Sequence, residues 1–333
     1  MLKLQMQMMS MLPLPMFIVF CFGWLEHNEH SINLVFNSYT ISACMDYLPI
    51  IAGILVALFY GVSDYLAGRS SKAVGEYRTT IYVLLFSSII LALALLYTGI
   101  TAQLTSSLMV IVILFSVVFF VAQLLVFRAF RYGDLSVTAP IVGSSPIITV
   151  AGAVLILGDI LSASEAAAIA LIIVGIILVS TKASAFRTKK KIVAAGVSSA
   201  VLSMLFFGAF YIYLGAYDAA VGYTLLVFMS RVMGPVVGFA FGCATKQNLS
   251  FPQKKYATKI VIAGATDAVA VLVYAYSIFV NSAGLPIVAA LAGFAGGVTV
   301  ICAFAFLKER PEKNQWLGII LAIIGVVVLS YFS

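Results

Sequence analysis

Of the 333 residues, 63% are hydrophobic and 9% charged, with a mean hydropathy of +1.14, against a charged share of about 25% in water-soluble domains. That composition excludes a soluble globule, and because the apolar residues run in blocks of about 20, spanning helices fit where the alternating segments of a β-barrel do not. The net charge of +7 does not point to nucleic acid, because the basic residues sit in short breaks between apolar runs instead of forming one face.

Residues 1–47 fit the rest of the chain poorly: a Met-rich start, an apolar run from Met11 to Leu25 broken by Pro13 and Pro15, then a polar piece. Three readings compete: a signal-like segment, an eleventh helix, or an upstream extension of a chain that starts at Met45. The third is preferred, since the run is short for a span, roughly 15 residues against the 17 to 25 needed. The cluster Glu26-His27-Asn28-Glu29-His30 matches no zinc spacing and is read as a solvated loop. Cys21, Cys44, Cys243 and Cys302 lie far apart without a CxxC pair, which implies neither a disulfide framework nor a metal site.

From Leu48 onward the pattern predicts ten spans, at 49–68, 79–98, 108–128, 135–157, 164–181, 192–214, 223–244, 258–280, 284–307 and 315–332. The stretch from Leu135 to Ser180 is written a second time from Leu285 to Ser330 at a shift of 150, with Gly143 matching Gly293, Thr149 matching Thr299, Leu157 matching Leu307 and Gly175 matching Gly325. Upstream, Gly61, Gly68, Val74 and Gly75 recur as Gly208, Gly215, Val221 and Gly222 at a shift of 147. A whole five-span half is therefore duplicated: 48–181 forms the first repeat, 182–191 a basic linker loop, and 192–332 the second repeat. Five is odd, so the second copy enters the membrane in the opposite direction. The expected fold is an all-α membrane protein of ten transmembrane helices arranged as two inverted five-helix repeats, with a substrate site near the midplane between them.

Arg69, Lys72 and Arg78 follow span one, Arg128 and Arg131 follow span three, and Lys182, Arg187, Lys189, Lys190 and Lys191 follow span five. Lys246, Lys254, Lys255 and Lys259 follow span seven, and Lys308, Arg310 and Lys313 follow span nine, whereas loops after even-numbered spans carry no Lys or Arg. Loops after odd spans are thus expected on the cytoplasmic side, with both ends of the ten-span core facing outward.

The duplicated five-helix plan, with Leu157-Gly158-Asp159 and Leu307-Lys308-Glu309 before a closing span rich in Gly, Ile and Val, resembles the EamA-type transporters of the drug/metabolite transporter superfamily. The resemblance covers residues 48–332. It implies a multi-pass protein of the cell membrane that exports small solutes such as amino acids, purines, drugs or other metabolites. Lys308 stands where the family often has glycine, and the charge bias is the reverse of the amino-terminus-inside arrangement associated with many bacterial members. The direction of transport is left open by that reversal.

Charged groups within spans cost about 2.5 to 3.5 kcal/mol each on insertion scales, so each asks for a partner or a task. Three qualify: Arg231 near the middle of span seven, Asp267 near the middle of span eight, and Asp64 in the inner third of span one. The repeat duplicates none of them, placing Leu84 opposite Arg231, Val117 opposite Asp267 and Tyr211 opposite Asp64. In the functional reading Arg231 anchors a carboxylate or phosphate, with Asp64 or Asp267 as a proton-titratable or amine-binding group. In the structural reading Arg231 and Asp267 neutralise each other, and Asp64 reaches the interface near Arg69.

Tyr60, Tyr65, Tyr211, Tyr213, Tyr274 and Tyr276 lie on spans one, six and eight, which the resemblance implies line a cavity. Tyr274, two helical turns from Asp267, and Tyr211 are taken into the candidate substrate site. Gln123, a lone polar residue in span three, completes it. Pro140, Ser144-Ser145-Pro146, Pro286, Gly293, Gly296 and Gly297 can loosen spans four and nine beside a cavity, or simply let helices pack closely. No GxxxxGK[ST] loop, GxSxG or HExxH occurs, which disfavours ATP-driven transport within the chain and membrane-embedded hydrolysis. The sequence therefore predicts a non-enzymatic secondary transporter without a cofactor, working on a small-molecule solute in the lipid bilayer, with protons as the coupling candidate. The alternative is a non-transporting membrane subunit or scaffold with the same fold.

Overall fold

The computed structural model describes residues 38–98, 106–152, 155–156, 162–180, 191–221, 223–280, 288, 291–307 and 312–332. The named elements are all α-helices: α1 Ser38–Val74, α2 Glu76–Thr98, α3 Ser106–Tyr132, α4 Leu135–Gly143, α5 Ser145–Gly152 and α6 Ala163–Ser180. The second half carries α7 Lys191–Val221, α8 Tyr223–Ala244, α9 Lys254–Val280, α10 Ala295–Leu307 and α11 Lys313–Phe332. Backbone groups bonded within each helix need no partner from the lipid, which is why long apolar runs take this form. Among the described residues, six helices are long and apolar enough to cross a membrane: Leu48–Val74, Glu76–Ala94, Met109–Tyr132, Ala195–Tyr213, Val227–Ala244 and Lys254–Ser277. They fall on expected spans one, two, three, six, seven and eight.

Helix ends follow local chemistry. Gly75, at φ +96°, turns the chain sharply after α1, its N–H bonded to Ser71 O at 3.0 Å. At the end of α8, Lys246 adopts φ 53° while Gln247 N–H returns to Gly242 O at 2.9 Å, a Schellman closure.

Two elements depart from the sequence expectation. Helix α1 begins at Ser38, so it runs back past Met45 into the segment expected to be leader or extension. Expected span four is two helices, α4 and α5, separated by a turn in which Ser144 N–H meets Ile141 O at 3.2 Å. Pro146 follows that turn and has no N–H to continue a regular ladder. The counterpart in span nine is broken at the related place, where Phe294 N–H meets Leu291 O at 2.9 Å ahead of α10. The acidic breaks around Asp159 and Glu309, the linker 182–190, residues 1–37 and Pro286 lie outside the described residues.

Packing between the halves respects the repeat. Helix α1 packs against α9 and α10, and its counterpart α7 packs against α3 and the α4–α5 pair. Helix α2 meets α8 and α6 meets α11, each pairing a helix with its own repeat mate, while α4 meets α10, the counterpart of α5. The detail repeats down to side chains: Gly61 receives Val298, while its counterpart Gly208 receives Ile148, which is the counterpart of Val298. The centre is an apolar cluster holding Leu84, Phe115, Phe119, Phe210, Val271 and Tyr274. Outward-facing positions are apolar too, as at Leu96, Val110 and Phe306, which suits a surface covered by lipid rather than water.

Candidate functional site

Helix α8 presents Arg231 to the interior through a short polar seam in an otherwise apolar run, Ser230-Arg231, with Pro235 one turn further on. In an α-helix the carbonyl of residue 231 would accept the N–H of residue 235, and proline has none. Ser88 of α2 fills the gap: its hydroxyl lies 2.7 Å from Arg231 O and 2.6 Å from Leu84 O of its own helix. The orphaned carbonyl is thus satisfied by the other half of the protein.

Arg231 is 5% exposed and Asp267 is similarly enclosed. Nη1 of Arg231 donates to both carboxylate oxygens of Asp267, at 2.8 Å to Oδ1 and 2.7 Å to Oδ2. Ser87 donates to Oδ2 at 2.6 Å, so the acid is held by α8 and α2 together. Nη2 donates to the Tyr60 hydroxyl of α1 at 2.8 Å. The guanidinium also lies over the rings of Phe119, 4.7 Å from its centroid, and Tyr60, at 5.5 Å, a cation–π arrangement on two sides. Removing one partner of such a pair typically costs 3 to 5 kcal/mol, because about that much is needed to leave the other charge buried alone.

The pairing is incomplete in one respect. Arg231 Nε is buried without a hydrogen-bond partner, a property it shares among the described residues with Ser277 Oγ. Arg231 lines a narrow cavity together with Tyr60 from α1, Phe210 and Tyr211 from α7, Val227 from α8, and Val271 and Tyr274 from α9. Both halves therefore contribute to one wall of aromatic rings around one cationic edge.

Of the residues singled out from sequence, Arg231, Tyr211 and Tyr274 border this cavity, and Asp267 stands behind Arg231 as its counter-ion. Asp64 is half-buried on α1, one turn beyond Tyr60, and makes no hydrogen bond to the other described residues. One turn further along α1, Arg69 Nη1 donates to Tyr65 at 3.3 Å. Gln123 is half-buried on α3 away from the cavity lining, and Tyr65 and Tyr213 pack instead against Phe306 and Phe115. Ser87, Ser88 and Phe119 escaped the sequence reading; the serine pair inside the apolar span two was the available signal.

These helices, wrapped in apolar surface and sharing a buried polar centre, define a multi-pass integral membrane protein made of two repeats. The chain belongs to the EamA-like transporter family, which it matches over residues 47–181 and again over 194–331. It is also similar to an uncharacterized protein of Methanocaldococcus jannaschii, at 34% identity over 131 residues, covering 39% of this chain and 95% of that one. That relative has the length of a single half. A solved crystal structure of a protein shares the fold at a TM-score of 0.65 and 14% identity, covering 84% of this chain and 95% of the other.

Proposed function

We propose that the protein is a secondary active transporter that moves a small organic solute across the cell membrane by alternating access, in the direction of efflux. The observation that carries this is the cavity itself: Arg231, Tyr60, Tyr211 and Tyr274 converge from α8, α1, α7 and α9, so the site is assembled between the two repeats. In this reading the full chain forms ten spans. The repeats are inverted, and support comes from the packing of Gly133, after α3, against Gly196 near the start of α7. The second half thus starts on the face where α1 ends, since Glu76 just beyond α1 pairs with Arg131 at the end of α3. Rocking one half against the other would expose the cavity to each side in turn.

Within the site, Arg231, Tyr211 and Tyr274 contact the solute, Asp267 positions Arg231, and Asp64 is the group placed to carry a coupling proton. Gln123 is left outside this assignment. The test is flux in liposomes reconstituted with the purified protein, comparing wild type with Tyr211→Leu and Tyr274→Leu, which spare the ion pair. Solute movement that follows an imposed pH gradient and drops by about tenfold or more in the variants is expected, roughly the loss of one good contact. A wild-type protein that moves no solute from a broad metabolite panel, while remaining folded, would return the chain to the scaffold alternative.

A further inference from the structure

We infer that residues 245–253, the connection between α8 and α9, form a latch that holds the two halves closed on the face carrying the basic loops. The opposite face lacks its equivalent and opens more readily; this rests on the transporter reading of the cavity. The latch works through backbone carbonyls outside any helix. Asn248 Oδ1 accepts from the Ser250 N–H at 3.0 Å and from the Ser250 hydroxyl at 2.7 Å, which folds the segment into a local turn. Two carbonyls are thereby left to α2 of the other half: Tyr82 donates to Leu249 O at 2.7 Å and Arg78 Nε to Ser250 O at 3.0 Å. Nearer the start of α2, Tyr77 donates to Gly238 O of α8 at 2.7 Å, and its ring stacks on Phe241. Tyr82 meets Phe239 and Phe251 edge-on. A Cβ on Gly242 would come within 2.8 Å of Leu249, so glycine there lets the strap lie close against α8. These three hydrogen bonds all run from the first half to the second.

The repeat does not copy this clasp. At the shift of 147 that relates α2 to α8, the counterparts of Tyr77, Arg78 and Tyr82 are Thr224, Leu225 and Met229. Leucine and methionine side chains have no hydrogen-bond donor, and threonine lacks the reach of a phenol. The place of the cavity agrees with that asymmetry. Arg231 lies closer along α8 to Tyr223, at the far face, than to Ala244, where the helix meets the latch. Tyr274 likewise lies closer along α9 to Val280 than to Lys254. More protein therefore separates the cavity from the latched face than from the opposite one. At about 10 Å³ the cavity has room for about one water molecule, so a solute enters only when the halves part. The latch favours parting on the face that it does not hold.

The test is side-specific access to the cavity in the full-length protein, using Val271→Cys in a cysteine-free background as the reporter. An impermeant methanethiosulfonate reagent is applied to membrane vesicles of either orientation, and the rate of modification is read for each face. The parent should react faster from the face opposite the basic loops. Breaking the latch with Arg78→Gln and Tyr82→Phe should raise the rate from the basic face by about fivefold or more and lower it from the other, as a two-state shift requires. A rise of equal size from both faces, which is general loosening, or no change from either, would overturn the latch. A second variant works in the opposite sense and does not depend on weakening the fold. Arg78→Cys with Ser250→Cys, joined by a short bifunctional thiol reagent before labelling, should suppress modification from the basic face and spare it from the other. Modification from the basic face at the full rate after joining would equally overturn the proposal. Flux measured separately keeps the two readings apart: the expected labelling pattern without solute movement across liposomes would sink the transporter and leave the latch standing.

Discussion

The carbonyl of Arg231 shows how closely composition and contact are linked at the scale of single residues. Pro235 removes its regular partner, and Ser88 supplies a replacement from α2 at 2.7 Å. Removing the hydroxyl by Ser88→Ala should therefore destabilise the protein by about 1 to 3 kcal/mol, the desolvation cost of an unsatisfied buried group. Pro235→Ala restores an N–H to the helix, so in that background the Ser88→Ala cost should shrink by about 1 kcal/mol. Thermal unfolding of the two single variants and the double variant measures this coupling, and strictly additive losses would show that proline and serine act independently.

At the scale of elements, the broken helices matter most. A Cβ built on Gly143 would lie 2.8 Å from the carbonyl oxygen of Gly293, so the turn between α4 and α5 abuts the turn ahead of α10 backbone to backbone. Gly143→Val should push these two segments apart. Because the contact lies between the halves rather than within one, the expected outcome is a protein that still purifies as a folded species but loses about tenfold or more of its flux, and undiminished flux would remove this contact from the working cycle. Much of this architecture was legible beforehand: matching Gly143 to Gly293 and Gly61 to Gly208 gave the repeat, whereas the close contacts at Gly61, Gly143 and Gly208 emerge only in three dimensions. The break in span four was not, because Ser144-Ser145-Pro146 fits a kinked helix as well as an interrupted one. The intramembrane charges were found because lipid makes them conspicuous, and Arg231 and Asp267 were expected to be able to pair. Ser87, Ser88 and Phe119 passed unnoticed, since serine and phenylalanine are ordinary in spanning helices, and three-dimensional proximity alone distinguishes them. Gln123 illustrates the converse, a polar residue at spanning depth that the fold places away from the cavity lining.

For the whole molecule, the basic residues and the contacts agree on one face. Glu76 at the start of α2 pairs with Arg131 at the end of α3, and Tyr82 of α2 donates to Leu249 O in the segment after α8 at 2.7 Å. In a cysteine-free background, single cysteines at Lys72, Arg128 and Ser250 should all react with an impermeant maleimide from the cytoplasmic side, and one at Thr98 from the opposite side. Labelling of Ser250→Cys and Lys72→Cys from different sides would contradict the packing, whereas a uniform reversal would overturn the charge rule for this chain and leave the fold intact.

The Arg231–Asp267 pair has a consequence for how the chain enters the bilayer. Its members lie on consecutive antiparallel helices of the same half, α8 and α9, separated by one short connection. During synthesis they can find each other as a nascent hairpin and partition into lipid as a neutral unit, avoiding most of the roughly 2.5 to 3.5 kcal/mol that each charge would cost alone. The first half, already inserted, then contributes uncharged groups, the hydroxyls of Tyr60 and Ser87. Biogenesis thus asks the membrane to accept a dipole where the amino-acid sequence, taken helix by helix, spells two ions.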